Sequence, residues 1–162
     1  MGVERFGYWD KTRARLGNQL GARLAQAIRE ATRKNALMLR REIVKGIRSQ
    51  SPGGKPFIAL AESTIKRKGS SKALIDSGFL INKITERLLG DKAFIGLLRG
   101  STNQDGEDLA NIGAIMEYGA TIEQPNGVVI VIPARPFLHP VLDAKRDVVL
   151  KNYREAIHKI FS

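Results

Sequence analysis

Apolar residues recur every three to four positions between about residues 12 and 49, at Leu16, Leu20, Leu24, Ile28, Ala31, Leu39, Ile43 and Ile47, with Ala36 bridging the one wide gap. This period predicts a single long helix. Arg13, Arg15, Arg23, Arg29, Arg33, Arg40 and Arg41 fill much of its remaining surface, and no proline interrupts it. Gly17, Gly21 and Gly46 lie toward its ends, where fraying costs least. A continuous helix of this extent is about 57 Å long at ~1.5 Å per residue. A small core cannot cover that length, so a break or an exposed half is expected, and an exposed half of this kind usually meets another subunit.

Ser51-Pro52-Gly53-Gly54-Lys55-Pro56 ends the helix. Residues 51–73 read as a long exposed loop, with one helical turn near 63–68 that Ser63 caps and Gly69-Ser70-Ser71 stops. Two strands are expected at 83–89 and 92–98, joined through Gly90-Asp91 as a tight hairpin. Ile84, Glu86 and Leu88 share one face of the first strand, and Ala93, Ile95 and Leu97 one face of the second.

After a polar loop, residues 108–118 read as a short helix with its acidic residues early, where the helix dipole favours them, and Gly119 as its stop. Residues 121–123 and 128–132 are expected to be two more strands around Pro125-Asn126-Gly127. The unbroken run Val128-Val129-Ile130-Val131-Ile132 points to burial on both faces. A last helix is expected from Pro140, a first-turn proline, to about Ile160, with Leu142, Val149, Tyr153, Ala156, Ile157 and Ile160 inward. The fold class is α+β: one domain over 1–162, with a small antiparallel sheet of about four strands and helices packed on it.

Composition narrows the chemistry. A chain of 162 residues buries roughly 70% of its unfolded surface. Aromatics are only 6%, so the core must be Leu, Ile, Val and Ala. The absence of cysteine excludes disulfides, thiolate metal sites and cysteine nucleophiles. Residues 1–6 lack the apolar stretch of a signal peptide and, with Phe6, the Ser or Thr of a myristoylation signal. No apolar run approaches a membrane span, and a soluble intracellular protein is expected.

The net charge of +11 is unevenly placed. Residues 1–50 hold 12 Lys/Arg against 4 Asp/Glu and residues 51–73 hold 5 against 1, whereas residues 74–162 hold 10 against 11. The basic first half attracts nucleic acid or an acidic protein surface. Arg40, Arg41, Lys45, Arg48, Lys55, Lys66, Arg67 and Lys68 are the candidate contacts, against the plainer reading of a well-solvated helix and loop.

The search for catalytic and metal-binding patterns yields none. His139 reads as a cap or turn residue and His158 as a surface or boundary residue. Asp76-Ser77-Gly78 lacks the first glycine of a nucleophile elbow, and Lys55 is followed by proline, not by the Ser or Thr of a phosphate loop. A calcium loop over 101–112 has Asn103, Asp105 and Gly106 in place but Ile112 where a bidentate glutamate is needed. No catalytic residue, cofactor site or metal site is assigned. No helix-turn-helix, zinc-finger or RNA-recognition motif appears, so any nucleic-acid contact would be to the phosphate backbone.

Two segments carry a family resemblance. The first is Ser51-Pro52-Gly53-Gly54-Lys55-Pro56-Phe57-Ile58-Ala59-Leu60 with Ser63-Thr64-Ile65 and Lys68, then Leu74-Ile75-Asp76-Ser77-Gly78-Phe79-Leu80 and Ile84. The second is Ile112-Gly113-Ala114-Ile115-Met116-Glu117-Tyr118-Gly119, then Ile132-Pro133-Ala134-Arg135-Pro136-Phe137-Leu138. In order and spacing these resemble tail-completion and head–tail joining proteins of tailed bacteriophages. Phe57 stands where the family usually has tryptophan, and Ile112-Gly113 where it has tyrosine-alanine.

The resemblance implies a virion protein, not an enzyme, that completes the tail and joins it to the head. It implies a ring of copies at the neck, monomeric when free in the host cytoplasm, between head-connector and tail-tube neighbours, with no membrane partner. The basic half would face passing DNA or an acidic neighbouring ring. Glu117, Tyr118, Arg135, Pro136 and Phe137 are the candidate subunit-interface residues. Pro133 and Pro136 stiffen the arm that carries Arg135, while Phe137 and Leu138 anchor it. For Arg135 an intersubunit and an intramolecular ion pair are both open, with Glu117 one available partner. The rival function is a basic nucleic-acid-binding or DNA-packaging accessory protein.

Overall fold

A computed structural model describes residues 9–76 and 78–161, without the side chains of residues 9, 10 and 12. The reading of residues 1–6 and the Ser77 position of the first motif lie outside the described residues. Helix α1 (Trp9–Arg48) is continuous, as the period predicts, and about 60 Å long at ~1.5 Å per residue. No break occurs; instead half of it is bare. Every described side chain from Lys11 to Arg23 is exposed, and burial begins in earnest at Ala31.

From there α1 runs antiparallel to α5 (His139–Phe161), because Thr32 meets Tyr153 while Glu42 meets Lys145. The seam is partly polar. Thr32 and Asn35 are buried, and the Asn152 amide donates to the Asn35 side-chain oxygen at 2.6 Å. Buried amides and hydroxyls left unpaired are costly, so this ladder sets the register of the two helices. Glu42 is held below the ordinary carboxylate range by the hydrogen bond from Lys145.

The core joins Leu39, Ile43 and Ile47 of α1 to Leu80 and Ile81 of α3 (Phe79–Lys83), with Ile84, Phe137 and Val141. Helix α3 is a short element that the sequence pattern did not predict. Within α5 the inward residues include Val141 and Val149, whereas Leu142 and Ile157, expected inside, are exposed.

The four expected strands form two separate antiparallel hairpins. Strands β1 (Thr85–Leu89) and β2 (Lys92–Gly96) pair with Glu86 opposite Ile95, and this hairpin packs on α1. Strands β3 (Ala120–Glu123) and β4 (Val129–Ile132) pair with Ile122 opposite Ile130. The expectation that 128–132 is buried on both faces fails, since Val128 to Val131 are all exposed. An apolar strand is buried only if another layer covers it, and here the described helices leave the hairpin bare. Between the hairpins, Asp108 caps α4 (Leu109–Tyr118) by accepting from the Ala110 N–H at 2.7 Å. Among the described residues, no helix is long and apolar enough to cross a membrane.

Candidate functional site

Loop 51–73 is less free than its composition implies. It opens with a 3-10 turn at Pro52–Gly54 wedged between α1 and α5. A Cβ on Gly46 would lie 2.6 Å from the Pro52 Cα, and one on Gly53 would lie 2.1 Å from the Pro140 carbonyl oxygen. Gly46 is therefore present because proline sits on it, not because helix ends tolerate glycine. The far end of the loop is tied back by Gln50, whose side chain donates to the Ala73 carbonyl at 3.0 Å and accepts from the Ala73 N–H.

Arg135 holds the middle. Its Nε donates to the Ile58 carbonyl at 2.9 Å, its Nη2 to the Ala59 carbonyl at 3.0 Å and its Nη1 to the Pro133 carbonyl at 3.4 Å. The guanidinium fork suits adjacent carbonyls that a point-like ammonium cannot bridge. What the loop then presents outward is α2 (Glu62–Lys68), which has no buried residue. Ala61 occupies its cap position without a side-chain hydrogen bond, and Ser63 lies inside the helix, contrary to expectation.

Glu117 does not pair with Arg135. Its buried carboxylate accepts the backbone N–H groups of Phe137 at 2.7 Å, Leu138 at 3.0 Å and His139 at 2.9 Å, and His139 Nδ1 lies 3.0 Å away. These are the amides at the start of α5, where unpaired donors and the helix dipole favour a negative charge. Glu117, the penultimate residue of α4, thus caps a helix that begins over twenty positions later. Gly119 makes the tight passage between them, with φ of 77° and a carbonyl, that of Ile132, only 2.9 Å from where a Cβ would stand.

Three candidate interface residues are therefore turned inward. Glu117, Arg135 and Phe137 are buried and satisfied by their own chain, so their side chains are not offered to a partner. Pro136 is half-buried, and Tyr118 is 71% exposed, edge-on to His139. Tyr118 also lines an apolar cleft of about 180 Å³ between β2 and α4, with Phe94, Gly113 and Phe137.

The candidate basic contacts divide in the same way. Arg41, Lys45 and Arg48 are exposed and follow at four- and three-residue steps along one face of α1, and Lys55, Lys66 and Arg67 are exposed on the loop. Arg40 is occupied, donating to the Ile84 carbonyl at 2.8 Å and pairing with Glu86 at 3.2 Å. Lys68 donates to the Lys72 carbonyl at 2.7 Å; partial burial lowers its pKa, against the raising influence of Asp76.

The calcium-like loop is closed on itself. Asn103 Oδ1 accepts from the N–H groups of Asp105 and Glu107, and Asp108 accepts from Gly100 and Ala110. The Gly100 bond first, then the Ala110 bond, hold Asp108 below its ordinary pKa. Among the described residues, no group of three or more His, Cys, Asp or Glu could hold a metal ion.

The sequence reading missed the loop anchors, because main-chain carbonyls as acceptors leave no side-chain signature. The Glu117 cap had a faint one, an acid two residues before a glycine; His139, read as a cap or turn residue, is instead the first residue of α5, and its own N–H is among those that Glu117 accepts. No family model, curated protein or solved structure matches this chain.

Proposed function

We propose that the protein is a structural component of a tailed-phage or prophage virion, completing the tail and joining it to the head as a ring at the neck. The observation that carries this reading is the contact between the two segments that resemble the family. Arg135, in the second, holds the carbonyls of Ile58 and Ala59, in the first. Glu117 and Gly119 of the second segment fix the same arm from its other side. The residues that carry the resemblance thus form one mechanical unit: a rigid arm, a helix cap and a stapled basic loop. Such a unit holds shape. In this reading the protein works by geometry, a closed collar with a different neighbour on each face.

Deletion of the gene from the parent phage or prophage, followed by electron microscopy of lysates, tests it. Full heads lying apart from tails with abnormal ends are expected. Joined, infectious particles of normal appearance would overturn it.

A nucleic-acid-binding role is the second reading, favoured by the exposed Arg41, Lys45 and Arg48 face together with Lys55, Lys66 and Arg67 on the loop. It predicts that the purified chain binds duplex DNA with affinity falling steeply as salt rises. Negligible DNA binding at low salt would remove it.

A further inference from the structure

Two bare surfaces lie at opposite ends of the molecule. The first is the projecting part of α1. Leu16 and Leu20 are 60% and 40% exposed, with Leu24 four residues further on, and this stripe runs on into the face that packs the core. Residues 11–29 contain five Lys/Arg and no acidic residue. The second is the outer face of hairpin β3–β4. Its register puts Val129 and Val131, 54% and 67% exposed, on one face with Glu123 and Thr121. Residues 100–134 contain five Asp/Glu and no Lys or Arg.

These surfaces cannot meet within one chain. The hairpin returns through Arg135 to the first turn of α5, whereas antiparallel α1 projects past the last turn of α5. The 23 residues of α5 hold them about 35 Å apart at ~1.5 Å per residue. The surfaces are nonetheless complementary, each an apolar strip inside a region of one charge sign.

We propose that the β3–β4 hairpin of one copy docks on the projecting half of α1 of a second copy, Val129 and Val131 against Leu16 and Leu20, with Glu123 facing Arg23. This rests on the ring reading for its biological sense, since such a contact is head-to-tail. Each added copy leaves one surface of each kind free, so the contact propagates and closes into a ring when the rotation per copy divides a full turn. Opposite charge steers the encounter and selects the register. A second copy fits better than DNA here, because DNA would engage the arginines and leave both apolar strips in water.

The chain has no cysteine, which makes the test direct. Full-length Leu20→Cys and Val131→Cys proteins, both at exposed positions, are mixed at high concentration under mild oxidation. The mixture should give a cross-linked dimer well in excess of either protein alone. Equal cross-linking of Leu20→Cys with itself, or no cross-link at all, overturns the proposal. In a second measurement, Arg23→Glu and Glu123→Arg should each weaken self-association about tenfold by sedimentation, and combining them in one chain should restore it. Loss through Arg23→Glu with no effect of Glu123→Arg would place the helix in a self-contact that does not use the hairpin and overturn the proposal. Because these readouts use the purified chain, they can fail while the deletion phenotype holds, and the reverse.

Discussion

Hairpin β1–β2 carries Glu86, Arg87 and Lys92 within its strands, yet it lies on α1 with Ile95 and the following Leu97 against the core. Hairpin β3–β4 carries a single charge, Glu123, and projects with its valines in solvent. The more apolar hairpin is the less covered one. What separates them is attachment. The first follows directly from Ile84, which is fully buried, and Arg40 ties it to α1. The second hangs from Gly119, at the end of α4, and from Pro133, at the start of the rigid arm, and among the described residues no helix lies over it. Apolar surface left bare on a well-anchored element is usually an interaction surface, and the proposed docking gives it an occupant.

The largest expected effect tests the core side of this contrast. Phe137→Ala removes a ring with no solvent exposure and should cost about 4 kcal/mol of folding stability. Val131→Ala, in the apolar run, should change stability by less than about 0.5 kcal/mol. Denaturant midpoints at matched slopes measure both. Comparable losses would mean that the hairpin is covered in the isolated protein, and the contrast would collapse.

Glu117→Gln comes next. The amide keeps one acceptor oxygen and turns a donor toward the other side of the cap, so either the Phe137 and Leu138 N–H groups or the His139 N–H lose their acceptor. A loss of about 3 kcal/mol is expected. Hydrogen exchange should quicken at residues 137–139 before it does so in the rest of α5. Uniform quickening along α5 would argue against a capping role.

Arg135→Lys should cost about 1–2 kcal/mol, because an ammonium cannot serve the Ile58 and Ala59 carbonyls together. The sharper readout is trypsin, which should cut at Lys66 and Arg67 well before the global unfolding temperature. Wild-type resistance in the variant would mean that Pro52 and Gln50 hold the loop unaided.

Much of the architecture was legible from period and punctuation. Helix α1 showed in the leucine spacing, β1–β2 in Gly90-Asp91, and α4 in Asp108 and Gly119, because each is specified by residues within a few positions of one another. The illegible parts are those where a distant partner decides. Val128 to Val131 read as buried, since a strand's sequence says what it could pack against but not whether anything faces it. Gly46 and Gly53 looked like ordinary helix-end and turn glycines, yet one accommodates Pro52 and the other the Pro140 carbonyl. Of the candidate site, the string 132–138 stood out in the sequence, while the roles of Arg135 and Glu117 depended on main-chain atoms far along the chain.

The smallest effect concerns the attachment itself. Arg40 Nε lies 2.8 Å from the Ile84 carbonyl oxygen and 3.2 Å from Glu86, and both charged side chains are partly in solvent. Partial exposure screens the pair, so Arg40→Ala should cost only about 1 kcal/mol, and part of that should vanish in high salt. Its structural signature should be local: faster hydrogen exchange across β1–β2, with Thr32 and Asn35 at the α1–α5 seam unaffected. Hairpin β3–β4 offers a control, because among the described residues no ion pair is made by Glu123, and Glu123→Gln should leave the stability of the isolated chain unchanged at any salt concentration. A salt-sensitive loss from Glu123→Gln in dilute, monomeric protein would show that β3–β4 is fastened within its own chain, and the difference between the two hairpins would then lie in composition after all.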